Sequence, residues 1–170
     1  MTRIYVPATL PMLRTLVADS VLRPMGGTAF AVTPSLREAY TSGDTEELEY
    51  IAMRDAARAS LRLLAIEAAA DQPSWHRRVV VAADVADVSH RPDLDDAVVR
   101  VPGVIPSSAV AAVHIDEPDA EYAVREAVAV VDAADLGDPD AEFVLGSAED
   151  HELAWYDPSE LPFFLQVLDL

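Results

Sequence analysis

The first residues of the chain alternate: residues 3–7 (RIYVP) read as a β-strand, and Thr9 followed by Pro11 marks the start of a helix running to about residue 19. A Pro-Met-Gly-Gly turn at 24–27 then leads into a second predicted strand at 28–33. Thr33-Pro34 opens a short helix ending near Gly43. Asp44 ahead of Glu47 has the arrangement of a capping box, and strong helix formers continue from 45 to about 70, so the longest helix is expected there. Gln72-Pro73-Ser74 breaks it, and residues 77–85 (RRVVVAADV) form the kind of apolar run found in a buried central strand.

The polar stretch 87–96 is expected to be loop, followed by a strand over 97–105 that Pro102-Gly103 interrupts. Pro106 and two serines begin a turn or short helix ahead of a strand in AAVHIDE, and Pro118 opens a helix that Gly137 closes. Residues 153–157 (LAWYD) read as a last strand, and Pro158-Ser159-Glu160 as the start of a C-terminal helix. Strands and helices mix without strict βαβ alternation. The pattern predicts a single domain over 1–170, α+β or α/β, with a mixed sheet flanked by four to five helices.

Composition sharpens this in one respect. The apolar fraction of 51% and charged fraction of 25% are those of a globular chain, and 170 residues suffice for one core. Cysteine is absent, which removes disulfides, thiolate metal sites and cysteine nucleophiles. All twelve basic residues are Arg, a bias expected of a GC-rich genome. No apolar run approaches the roughly 20 residues of a membrane span, and Pro7 and Pro11 interrupt the start where a signal peptide needs an unbroken apolar region, so a cytoplasmic protein is expected.

The net charge of −18 is unevenly spread: residues 1–83 carry nine Arg and nine acids, residues 84–170 three Arg and 21 acids. Such a surplus repels nucleic acid and membranes and suits a basic protein partner. Within the neutral half, Arg54, Arg58 and Arg62 fall every fourth residue on the predicted long helix, forming one stripe that either pairs with acids or faces a partner.

Three segments, MTRIYVPATLPMLRTLV at the start, EELEYIAMRDAARASLRLL with RRVVVAADV in the middle and VDAADLGDPDAEF with AEDHELAWYDPSELP at the end, together resemble an uncharacterised family of acidic actinobacterial proteins. The resemblance covers nearly the whole chain and implies a bacterial cytosolic setting. It carries no activity, cofactor or site residue onto any position.

The candidate chemistry is local. Asp132, Asp135, Asp138, Asp140, Glu142, Glu149, Asp150 and Glu152 are the acids offered to a partner. Counted from Asp138, acids occupy positions 1, 3, 5 and 12 of an EF-hand-like loop, but Phe143 stands where the sharp turn needs Gly, and a solvated helix end and turn explains the same letters. His114 and Asp116 lie two apart on a predicted strand and so share a face, as an acid/base pair or as strand-end groups with separate partners. His151 sits among Asp150, Glu152 and Glu149, where carboxylates favour the imidazolium or a metal ion; the plainer reading is an exposed acidic turn before a buried Trp155 strand.

His76 and His90 read as surface residues. Ser35, Ser60, Ser107 and Ser108 lack a nucleophile-elbow context, and neither a P-loop nor a dinucleotide fingerprint occurs. Gly26-Gly27 after Arg23 reads as a turn before a strand, with a small-anion cradle as the other option. At the end of the chain, Leu161, Phe164, Leu165 and Leu168 share one helical stripe that covers the core, leaving Phe163 and Val167 for self-association into a homodimer. No cofactor is expected. The expectation is a non-catalytic binding or regulatory protein that presents an acidic face to a basic protein, nucleic-acid mimicry being one version. The alternative is a small metal-dependent enzyme built on His151 or His114.

Overall fold

The strands of the computed structural model, which describes residues 1–72 and 75–169, assemble into one seven-stranded sheet and a two-stranded ribbon. In chain order the strands are β1 (Thr2–Ala8), β2 (Val21–Leu22), β3 (Thr28–Phe30), β4 (Val79–Val85), β5 (Ser89–His90), β6 (Val98–Arg100), β7 (Ile105–Pro106), β8 (Val110–Ile115) and β9 (Ala154–Tyr156). The helices are α1 (Leu10–Asp19), α2 (Pro34–Ala39), α3 (Thr45–Ala69), α4 (Glu121–Asp135), α5 (Pro139–Glu149) and α6 (Leu161–Val167). The large sheet runs β5-β6-β3-β1-β4-β8-β9, and β2 pairs with β7. Every pairing among the described residues is antiparallel, which selects α+β from the two expected classes.

The alternation seen in the sequence sorts the side chains of the central strands onto two faces. Ile4, Val6 and Ala8 of β1, with Val79, Val81 and Ala83 of β4, pack against Leu10, Leu13 and Leu16 of α1 and Leu161 and Leu165 of α6. Tyr5, Val80 and Ala82 point the other way, against Leu48, Ala52 and Ala56 of α3. Ser60, fully buried on α3, donates to the Ala8 carbonyl (2.7 Å) and accepts from the Val79 amide (3.1 Å), tying the helix to the paired ends of β1 and β4. The far side of α3 buries Leu61 and Leu64 against an α4–α5 hairpin, where Val124, Val131, Ala141 and Leu145 close a separate cluster.

Several local expectations hold. Asp44 accepts from the Glu47 amide at 2.8 Å, one half of the expected capping box, Thr33 caps α2 through the Leu36 amide at 3.0 Å, and α6 buries Leu161 and Leu165 while Phe163 and Val167 stay exposed. The expected break at Gln72-Pro73-Ser74 lies partly outside the described residues; α3 ends just before it, at Ala69.

Others are corrected. The 87–96 loop contains β5, whose two residues pair with Val99 and Arg100. The interruption expected at Pro102-Gly103 does hold: the 97–105 stretch is divided into two short strands, with Gly103 at a positive φ of 76° between them. Residues 139–149 form a full helix where a solvated turn was expected. Asp138 caps it by accepting from the amides of Asp140 and Ala141, and Ala141, Leu145 and Ala148 bury one stripe of it. Trp155, expected to be buried, is 60% exposed because β9 is an edge strand. Among the described residues no helix is long and apolar enough to cross a membrane.

Candidate functional site

The arginine stripe and the acidic second half meet. Arg54 reaches Glu149 (3.4 Å), Arg58 reaches Glu142 (2.7 Å) and Asp135 (3.1 Å), and Arg62 reaches Asp135 (2.6 Å). As the Arg number rises the acid number falls, so α5 runs antiparallel to α3 and the row of arginines clips the α4–α5 hairpin onto it. Arg62 first and then Arg58 hold the Asp135 carboxyl below its ordinary value, and Arg58 does the same for Glu142. Among the described residues every ion pair except Arg91–Asp93 joins an Arg of residues 1–83 to an acid of 84–170. The charge division of the sequence is therefore not a division in space.

The acids offered to a partner separate accordingly. Asp135, Glu142 and Glu149 are engaged by arginine and Asp138 by its own helix start, while Asp132, Asp140, Asp150 and Glu152 are exposed with no side-chain partner among the described residues. The EF-hand-like spacing fails outright: Asp140, Glu142 and Glu149 lie on α5, whose backbone is helical rather than looped.

His114 and Asp116 do not form a pair. Asp116 lies one residue past the end of β8, so strand alternation no longer sets its direction, and its fully buried carboxylate is taken by Arg78. Arg78 donates from Nε to Oδ2 and from Nη2 to Oδ1, both at 2.8 Å, its amide also donates to Oδ2, and the Asp116 amide returns a bond to the Arg78 carbonyl. His114 is half-buried opposite Trp155, and burial, assisted by the charge of Arg3, pushes its pKa down, so the ring is neutral. His76 is half-buried, its pKa also lowered by burial, and His90 is exposed. Among the described residues no three His, Asp or Glu side chains converge as a metal-binding set.

Arg78 has a second task. Its Nη2 donates to the His151 carbonyl at 2.8 Å, anchoring the segment between α5 and β9. Between that segment and α3 lies a partly enclosed cavity of about 80 Å³. Arg54, Arg58 and Arg78 line it together with Glu149, His151 and Glu152, over an apolar wall that includes Met53 and Leu153, with Tyr50 at its edge. Two candidates nearly a hundred residues apart in the chain, the Arg stripe and the His151 segment, thus share one cavity. Arg78 escaped sequence reasoning because an Arg heading an apolar strand gives no sign of its buried partner 38 residues on. Tyr50 and Met53 fall at the helical spacing of Arg54 and Ala57, a signal that was available.

Asp55, also on α3, is the other titratable group of note. It is half-buried, and burial, with repulsion from Asp95 second, pushes its carboxyl up to about 6 from an ordinary value of 3.8. Between those two values the folded protein keeps a proton that the unfolded chain has released, so the contribution of this one group to stability is highest below about pH 4 and falls as pH rises to about 6. Asp55→Asn is expected to abolish that fall, gaining about 1–2 kcal/mol at pH 7, after discounting for solvent screening, and nothing at pH 4, as read from urea titrations at both values.

A family model described as a family of unknown function matches residues 2–165. No curated protein and no solved structure matches the chain.

Proposed function

The chain belongs to that family of unknown function, DUF6912, and we propose that it is a non-catalytic binding protein that presents a carboxylate-rich surface to a basic protein partner. One observation carries this. Arginine is spent within the fold's own ion pairs: among the described residues seven of the twelve pair with seven of the 30 acids. The pairs cancel and the whole net charge of −18 falls to the remaining acids, including Asp132, Asp138, Asp140, Asp150 and Glu152, exposed around the α4–α5 hairpin. A surface of this kind steers cationic partners and repels nucleic acid. In one version the carboxylates stand in for phosphates, and the partner is itself a nucleic-acid-binding protein. A cytosolic, actinobacterial setting belongs to the same proposal. The metal-enzyme reading gains nothing from the geometry, since Asp116 is consumed by Arg78.

Two variants of equal charge test this. One carries Asp132→Asn, Asp138→Asn, Asp140→Asn, Asp150→Asn and Glu152→Gln, where the Asn at 138 keeps the helix cap. The other neutralises exposed acids elsewhere: Asp19, Glu38, Glu46, Asp71 and Asp87. Affinity capture from a bacterial lysate is expected to retain a basic protein on the wild type and on the second variant, to lose it on the first, and to release it as salt is raised. Equal retention on all three proteins, or equal loss on both variants, would sink the hairpin as the docking surface.

A further inference from the structure

The cavity between α3 and the α5–β9 segment is lined by a nearly buried arginine with one nitrogen not taken up by the fold. The Arg78 side chain is 3% exposed, and two of its three nitrogens are used: Nε on Asp116, Nη2 on Asp116 and the His151 carbonyl. Nη1 has no partner among the described residues, and the cavity is what Arg78 lines. A nearly buried guanidinium that keeps one donor open to the cavity offers it to an acceptor there. Arg54, on the rim, is held only by a long 3.4 Å contact to Glu149, and its other two nitrogens have no partner among the described residues. Arg58, by contrast, is saturated by Asp135 and Glu142.

The charge around these donors narrows the ligand. A bare anion enters against Glu149, Glu152 and a net charge of −18, and a bare cation meets three arginines. A molecule bearing both charges satisfies each side: an oxyanion for Arg78 Nη1 and Arg54, and an ammonium group for Glu152, whose carboxylate has no partner among the described residues. The wall of Met53, Ala57, Leu61 and Leu153 then takes a short apolar body. We infer that this cavity is a binding site for a small zwitterion of the α-amino-acid type with a compact aliphatic side chain, a role that shares only Glu152 with the acidic docking surface.

L-valine, its deaminated analogue isovalerate and its decarboxylated analogue isobutylamine separate the charge requirements, read by thermal melting and by the methyl resonance of Met53. Valine at a hundredfold excess over its Kd is expected to raise the Tm by about 5–10 °C and to shift the Met53 signal, with either analogue producing less than about a quarter of that rise. Arg54→Gln and Glu152→Gln, both at exposed positions, are expected to melt within about 2 °C of the wild type without ligand and to weaken valine binding by about tenfold or more. Arg78 itself is left intact because its loss strands Asp116. No shift with any of the three compounds, an equal shift with isovalerate alone, or valine binding unchanged in both variants would each overturn the assignment.

Discussion

Replacing Asp116 by Ala is expected to destabilise the fold by about 3–5 kcal/mol, because it leaves the Arg78 guanidinium buried without its counter-charge. That is a large part of the roughly 5–15 kcal/mol that holds a domain together, and the Tm should fall by about 6–20 °C. Urea titration provides the check, with the midpoint lowered. The cost belongs to the stranded charge more than to the pair. An Arg78→Met/Asp116→Leu double variant should therefore recover most of it, since two apolar groups of similar volume replace two desolvated ions. Recovery of less than half would mean that the bond from the Arg78 amide to the Asp116 carboxylate and the anchor to His151 carry the larger share.

Leu145→Ala comes next in size. Leu145 is fully buried where α5 meets α3 and α4, so the truncation removes apolar contact and leaves a cavity, for about 2–5 kcal/mol. Phe143, two residues away and 82% exposed, supplies the internal control: Phe143→Ala should stay within about 0.5 kcal/mol. Hydrogen exchange should further show the α4–α5 hairpin opening in Leu145→Ala before the sheet does, because the strands have their own cores, one against the other side of α3 and one on the far face of the sheet. If the two variants cost the same, residues 139–149 are not packed as a helix against α3.

These two cases also show what could be read in the chain and what could not. The long helix was legible because Asp44 and Glu47 announce its start and 25 residues of strong helix formers follow. The central strand was legible because VVVAA has few other uses in a chain of this composition. Helix α5 was missed although its markers were present: Asp138 before Pro139 is a helix start, and Ala141, Leu145 and Ala148 keep helical spacing. The density of acids there matches a solvated turn as well as a helix, and those acids sit on the outer face of a helix whose apolar stripe is mostly alanine.

Other features carry no local trace. Strands β2, β5 and β7 are two residues long and exist only because a partner lies alongside. Trp155 was assigned to the interior on hydrophobicity, but an edge strand covers only one of its sides. For the candidate site, the Arg54, Arg58 and Arg62 stripe and the His151 segment were both visible, whereas their meeting in one cavity depends on α5 running back along α3, a tertiary fact. Arg78 was hidden for the same reason.

The place of β1 in the sheet has a consequence for how the protein is made. Its two neighbours are β3 and β4, and the longer pairing, from Thr2↔Val85 to Ala8↔Val79, closes across more than 70 residues. On a ribosome adding about 5–20 residues per second, the apolar strand that emerges first waits roughly 4–15 seconds for the partner that completes it. Sequence separation of this kind slows folding, since the chain must meet the loop entropy before the strands reward it. α1 follows β1 immediately and packs on the same apolar face, so it is the element placed to shield that strand while the nascent chain grows.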